Sequence, residues 1–90
     1  MINDTQAVLW EAMFSIADPK DWIQNAGRRG EQRCALMAIL DAHGIPAWVA
    51  ISIFRKIVGN EIISYNDAPG RTHAEVMEAF AKAIYLAGLK

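Results

Sequence analysis

Thr72-His73-Ala74-Glu75-Val76-Met77-Glu78-Ala79-Phe80-Ala81-Lys82-Ala83-Ile84, residues 72–84, decides the fold class. Thr72 with Glu75 three positions on is a capping box. The hydroxyl takes a free amide of the first turn, and the carboxylate reaches back to the cap amide. Behind it Val76, Phe80, Ala83, Ile84 and Ala87 recur at three- and four-residue spacings, which lines up one apolar face. Glu78 and Lys82 form an i,i+4 pair on the outer side. The pattern predicts a helix from Thr72 to about Ala87, closed by Gly88.

Working upstream, Asn66-Asp67-Ala68-Pro69-Gly70 is a turn cluster. Asx side chains bond the backbone locally, proline presets φ, and Gly70 supplies the positive φ of a type II turn. Glu61 to Asp67 carries Ile62-Ile63-Ser64-Tyr65, β-branched and aromatic in character, with no second strand to pair with it. It is expected as a short extended connection at about 61–67. Pro46 to Val58 is a helix with Trp48, Val49, Ala50, Ile51, Ile53, Phe54, Ile57 and Val58 around nearly its whole circumference. Such a helix belongs at the centre of a bundle or at a subunit contact.

Toward the N-terminus, Glu31 to about His43 is a third helical segment, with Gly44 placed to end it in the left-handed region. Gly27-Arg28-Arg29-Gly30 is a polar break. Asp18 before Pro19 signals a cap followed by proline at the first helical position, starting a short helix to about Ala26. Asp4 or Thr5 caps a first helix to about Ala17, its apolar face including Trp10, Phe14 and Ala17. The expectation is an all-α fold: a compact bundle of four to five helices forming a single domain over residues 1–90.

Composition bounds the function classes. The 90 residues are 53% hydrophobic and 21% charged, which excludes a disordered or low-complexity chain. Nine Lys plus Arg against ten Asp plus Glu give a net charge of −1, too little positive charge for a dedicated nucleic-acid binder. The longest strongly apolar stretch, Ile45 to Phe54, is too short to span a bilayer. Met1-Ile2-Asn3-Asp4 lacks the basic start of a signal peptide. Cys34 has no partner for an internal disulfide, so a reducing cytoplasmic location is expected.

Motifs that could carry chemistry are sparse. Read as a helix-turn-helix, Cys34 to Ile57 would present Trp48, Val49, Ile51 and Ile53 to base edges that need polar partners, so core packing is the better account. Arg28, Arg29 and Arg33 form a small basic cluster, expected as a solvated loop. His43 and His73 match no zinc spacing, and neither a metal nor another cofactor is expected. Cys34 is expected mid-helix as a buried, inert thiol. The densest polar constellation is Asn66, Asp67, Arg71, Thr72, His73 and Glu75. Capping accounts for Thr72 and Glu75, and an Asp67–Arg71 pair would lock the turn. That leaves Asn66, Asp67, Arg71 and His73 as the candidate ligand-binding residues.

Trp22, Cys34-Ala35 with Ala38, Asn66-Asp67, Arg71-Thr72, Glu75-Val76 and Ala83-Ile84 together resemble a family of small bacterial and phage proteins classed as a domain of unknown function. The resemblance covers about Val8 to Ala87. Two positions depart from its pattern: Met37 stands where the family tends to have Gly, and Tyr65 where it tends to have Trp. The resemblance implies a mostly helical fold and no stated activity.

Two function classes follow. One is a non-enzymatic helical protein–protein interaction module that self-associates, with Trp48, Ile51 and Phe54 as interface residues, because aromatic and aliphatic anchors dominate such contacts. Its partner would be a second copy or another protein, with neither nucleic acid nor membrane involved. The other is a small anionic-ligand or weakly catalytic site over Asn66–His73. There Arg71 holds an anionic group, Asp67 orients it or acts as base, and His73 exchanges protons. A phage-type inhibitor of a host protein is a further alternative.

Overall fold

The structure, a computed structural model, describes residues 2–43 and 47–89. Helices α1 (Asp4–Ser15), α2 (Ala35–Asp41), α3 (Ala47–Val58), α4 (Ile62–Asp67) and α5 (His73–Gly88) make a mostly helical bundle. A 3₁₀ turn at Pro19–Asp21 and a two-stranded hairpin, β1 (Arg28–Arg29) and β2 (Gln32–Arg33), join α1 to α2. The expected roles of Gly44 and Pro46 lie outside the described residues.

The two longest-range anchors are α1 and α5. Asn3, not Asp4 or Thr5, caps α1: its Oδ1 accepts from Gln6 N at 2.8 Å, and the Gln6 Oε1 accepts from Asn3 N at 3.0 Å. The same two side chains then serve α5. Asn3 Nδ2 donates to Ala87 O, a last-turn carbonyl that a helix leaves open, and Gln6 Nε2 to Ile84 O one turn earlier. The α5 capping box forms as expected, with Thr72 Oγ1 accepting from Glu75 N and the Glu75 Oε1 accepting from Thr72 N.

One continuous core runs between α1, α2, α3 and α5. Val76, Phe80, Ala83, Ile84 and Ala87 all face it. Phe80 meets Phe54 of α3 with ring centroids 4.5 Å apart, and both are fully buried. The buried stripe of α1 is Val8, Leu9, Ala12 and Ile16, so the expected inward face shifts: Trp10 is half-buried at the edge of the core, and exposed Phe14 stacks on it. On α3, Ala50, Ile53 and Phe54 turn inward while Trp48 stays 68% exposed; the apolar circumference does not bring a fully buried helix.

Three expectations are corrected between Pro19 and Asp67. The second helix stops after its first turn at Asp21, although Asp18 caps it with Pro19 at the first position. The break and the next helix start become a hairpin, with Arg28 opposite Arg33 and Arg29 opposite Gln32. Gly30 (φ +60°) sits at the first loop position, where a type II′ turn needs glycine. Helix α2 therefore begins at Ala35, with Cys34 as its N-cap and not mid-helix. Finally, residues 62–67 are helix, not extended chain, because an i,i+4 pair, Ile62 and Asn66, is buried together. Gly70 takes φ +81°, as the turn requires.

Candidate functional site

Asn66 is the fully buried polar residue among the described core. Its Oδ1 accepts from the Trp22 indole Nε1 at 2.6 Å and from Ala35 N at 3.0 Å. Its Nδ2 donates to Ile23 O at 3.0 Å and to Asp67 Oδ1 at 2.9 Å. Gln24 Nε2 donates to the Asn66 and Ala68 carbonyls. Every hydrogen-bonding position of the Asn66 amide is thus used, as burial demands. Trp22, Cys34-Ala35 and Asn66-Asp67, three separated fragments of the resemblance, meet at this hub.

The other candidate ligand residues do not converge on one cavity. Asp67 Oδ1 accepts from Asn25 N at 2.9 Å, holding Asn25 at φ +63°, and no Asp67–Arg71 pair forms. Arg71 turns the other way: its Nε donates to Tyr65 O at 2.8 Å, its guanidinium lies 3.7 Å over the Tyr65 ring, and Nη1 is 3.5 Å from Glu75. Glu75 is held below the ordinary carboxylate range, chiefly by the amide of Thr72. The Nε2 of His73 donates to Ile16 O at 2.7 Å, tying α5 to the end of α1. Arg71 and His73 are therefore engaged with the scaffold.

Asp67 borders a cleft of about 270 Å³ lined by Asn25, Ala26, Gly27, Cys34, Leu36, Met37, Ile63 and itself. Cys34 is buried, and its Sγ accepts from Met37 N at 3.4 Å. Met37 fills the space over Gly27, where a Cβ would come within 3.1 Å of the Met37 Cγ. On the far side of Leu36 and Ile63 a second cleft, about 280 Å³, is lined by Ile51, Arg55, Asn60, Glu61 and Ile62 as well. These clefts adjoin on one face, built where α2, α3 and α4 pack on one another. Ile63, shared by both, is 53% exposed, and Leu40, four positions after Leu36 on α2, is 47% exposed. Trp48, Ile51 and Arg55 follow at three- and four-residue spacings along α3. Of the three expected interface residues, Trp48 and Ile51 lie on this stripe, whereas Phe54 is enclosed against Phe80 and out of a partner's reach. A third, shallower apolar groove between α3 and α5 holds Ile57, Tyr85, Leu86 and Leu89.

Two groups of paired charges lie elsewhere on the surface. Asp41 takes both Arg28 (2.6 Å) and Arg33 (2.8 Å), so much of the basic cluster is an ion-pair triad that pins the hairpin to α2. Hydrogen bonds from Arg28, then Arg33, hold the Asp41 carboxyl below the ordinary range. One Glu11 oxygen accepts both His43 N (2.7 Å) and His43 Nδ1 (2.8 Å), and Glu11 is lowered in consequence. Among the described residues no group of three or more His, Cys, Asp or Glu is arranged to hold a metal ion, and no helix is long and apolar enough to cross a membrane.

The sequence reading missed Asn25, Gly27, Met37 and Ile63 as cleft residues. The available signal was the joint presence of Trp22, Cys34-Ala35 and Asn66-Asp67, which places their neighbours together. The model of a family of unknown function, DUF6197, matches residues 1–86, and the chain belongs to that family. No curated protein and no solved structure matches the chain.

Proposed function

We propose that this member of a family of unknown function is a non-enzymatic helical protein–protein interaction module, self-associating through the face formed by α2, α3 and α4. The observation that carries the reading is the pair of adjoining clefts walled by Leu36, Met37, Ile51 and Ile63, with Ile63 exposed between them and exposed Leu40 and Trp48 one helical turn along from Leu36 and Ile51. Apolar surface of this kind seldom persists uncovered, and exposed tryptophan is a favoured interface anchor. The engagement of Arg71 and His73 with backbone carbonyls supports the same choice over a catalytic site, since neither side chain turns to the cleft. The free, buried thiol of Cys34 is compatible with a reducing cytoplasm.

Sedimentation velocity across a concentration series tests it, with the Trp48→Asp/Ile63→Asp double variant as control. Both positions are exposed, so the variant should fold. The parent is expected to sediment as a reversible dimer and the variant as a 10.0 kDa monomer. A parent that stays monomeric but binds a hydrophobic dye, lost in the variant, points to a different protein as partner. A monomer that binds no dye overturns the proposal.

A further inference from the structure

The geometry assigns the cleft beside Asp67 a ligand class, a single aliphatic ammonium group. Asp67 is the one Asp, Glu, Lys, Arg or His side chain in the cleft's lining. Among the described residues no Lys, Arg or His nitrogen pairs with it; Arg71, the partner expected from sequence, is turned onto Tyr65 and Glu75. The carboxylate is held in place by its Oδ1, which accepts from Asn25 N and Asn66 Nδ2. Its Oδ2 accepts no hydrogen bond from the described residues. Asp67 thus brings one carboxylate oxygen without a donor from the described residues to a cleft that Leu36, Met37 and Ile63 also line.

A cation there gains a charge-assisted hydrogen bond to a carboxylate already held in place. An ammonium suits a single free oxygen. A guanidinium gains its advantage from gripping both oxygens of a carboxylate, and here one is already occupied. The apolar walls match a methylene stem, as they would for the stem of a lysine. The polarity is opposite to the anion site that Arg71 suggested in the sequence.

The test is a titration of the ¹⁵N-labelled full chain, followed by amide chemical shifts, with n-pentylammonium chloride, 1-pentanol, N-acetyl-lysine methylamide and N-acetyl-arginine methylamide. Pentylammonium should give saturable shifts at Asn25, Ala26, Gly27, Met37 and Ile63. Pentanol should bind weaker by about ten-fold or more, the worth of a charged hydrogen bond. Asp67→Asn, which keeps the Oδ1 acceptor and should melt near the parent temperature, should weaken pentylammonium to the same degree. Ile63→Lys, at an exposed position, supplies a tethered ammonium and should also weaken it. Binding of the lysine derivative ahead of the arginine one identifies a protein side chain as the source; binding of pentylammonium alone identifies a free amine. Equal binding of pentanol and pentylammonium, or no saturable shift with either ammonium, overturns the proposal. The titration is run at a concentration where sedimentation shows the chain monomeric, because the same cleft lies in the proposed self-association face; there its outcome and that of the dimer test are distinguishable.

Discussion

Trp22 and Asn66, separated by 44 positions, are joined by a 2.6 Å hydrogen bond from the indole Nε1 to the amide Oδ1. That bond and the one from Ala35 N fix α4 against the segment between the 3₁₀ turn and the hairpin and against the start of α2. Replacing Asn66 by Ala leaves the Trp22 indole, the Ala35 amide and the Ile23 carbonyl without their partner. Orphaned buried groups cost about 1–3 kcal/mol each, so Asn66→Ala is expected to lose about 4 kcal/mol, measured from urea midpoints. Asn66→Asp should be comparably damaging. It keeps the acceptor but loses the donor to Ile23 O and sets a second carboxylate beside Asp67 Oδ1, now 2.9 Å from the amide nitrogen. A loss under about 1 kcal/mol for both would remove Asn66 from this role.

The same hub explains which parts of the fold were legible. The α5 capping box is local, and Thr72 and Glu75 were readable because their partners lie three positions apart. The Asp18-Pro19 start was readable for the same reason, but the length of that segment was not. Ile23 O is taken by Asn66, Asn25 N by Asp67, and Ile23 N by Arg33 O, so long-range partners replace the helical bonds. Residues 62–67 misled through propensity: Ile62, Ile63 and Tyr65 favour strands, and Glu61 supplies no side-chain cap. Burial of Ile62 and Asn66 on one side of a helical turn outweighs that preference. At the candidate site, Asp67 was legible only as the companion of Arg71, in the turn or in an anion site; the turning of Arg71 onto the Tyr65 ring and carbonyl, which parts the two, depends on tertiary placement.

Phe54 and Trp48 separate packing from contact. Both were read as interface residues, yet Phe54 is fully buried and Trp48 is 68% exposed. Phe54→Ala should therefore cost about 3–5 kcal/mol in urea unfolding. Trp48→Asp should stay within about 0.5 kcal/mol of the parent monomer, since exposed substitutions seldom do more. Of these two variants, Trp48→Asp should move dye binding or sedimentation, and Phe54→Ala, while it stays folded, should not.

Gly88 illustrates a sign that depends on its neighbour. Gly to Ala gains about 1 kcal/mol in a helix interior and less at a last residue such as Gly88 of α5. Here a Cβ would stand 2.5 Å from Gln6 Nε2, the group that donates to Ile84 O. The amide must move and that bond is lost, so Gly88→Ala in the parent is expected to bring no gain. In a Gln6→Ala background the obstruction is gone, and Gly88→Ala should raise stability. A double-mutant cycle by thermal or urea unfolding reads the difference directly; equal effects in both backgrounds would rule the contact out.

The Asp41 triad makes a pH-dependent prediction. Hydrogen bonds from Arg28 and Arg33 lower the folded-state pKa of Asp41 below its unfolded value. A lowered carboxyl binds fewer protons when folded, so its contribution is full above about pH 4, the ordinary carboxylate range. It is lost as pH falls through the depressed folded value. Asp41→Asn should thus be less stable than the parent at pH 7, by no more than about 1 kcal/mol for so exposed a pair. The difference should start to shrink as pH drops below about 4, where the unfolded carboxyl becomes neutral, and close as pH passes the depressed folded value. Glu11 and Glu75 are lowered too and keep part of the slope in both proteins, so the informative quantity is the difference between the two urea midpoints. High salt at pH 7 should narrow that difference in the same direction by screening the exposed Arg28 partner. A gap that persists undiminished at pH 2 would mean that Asp41 acts through shape and neutral hydrogen bonding and not through its charge.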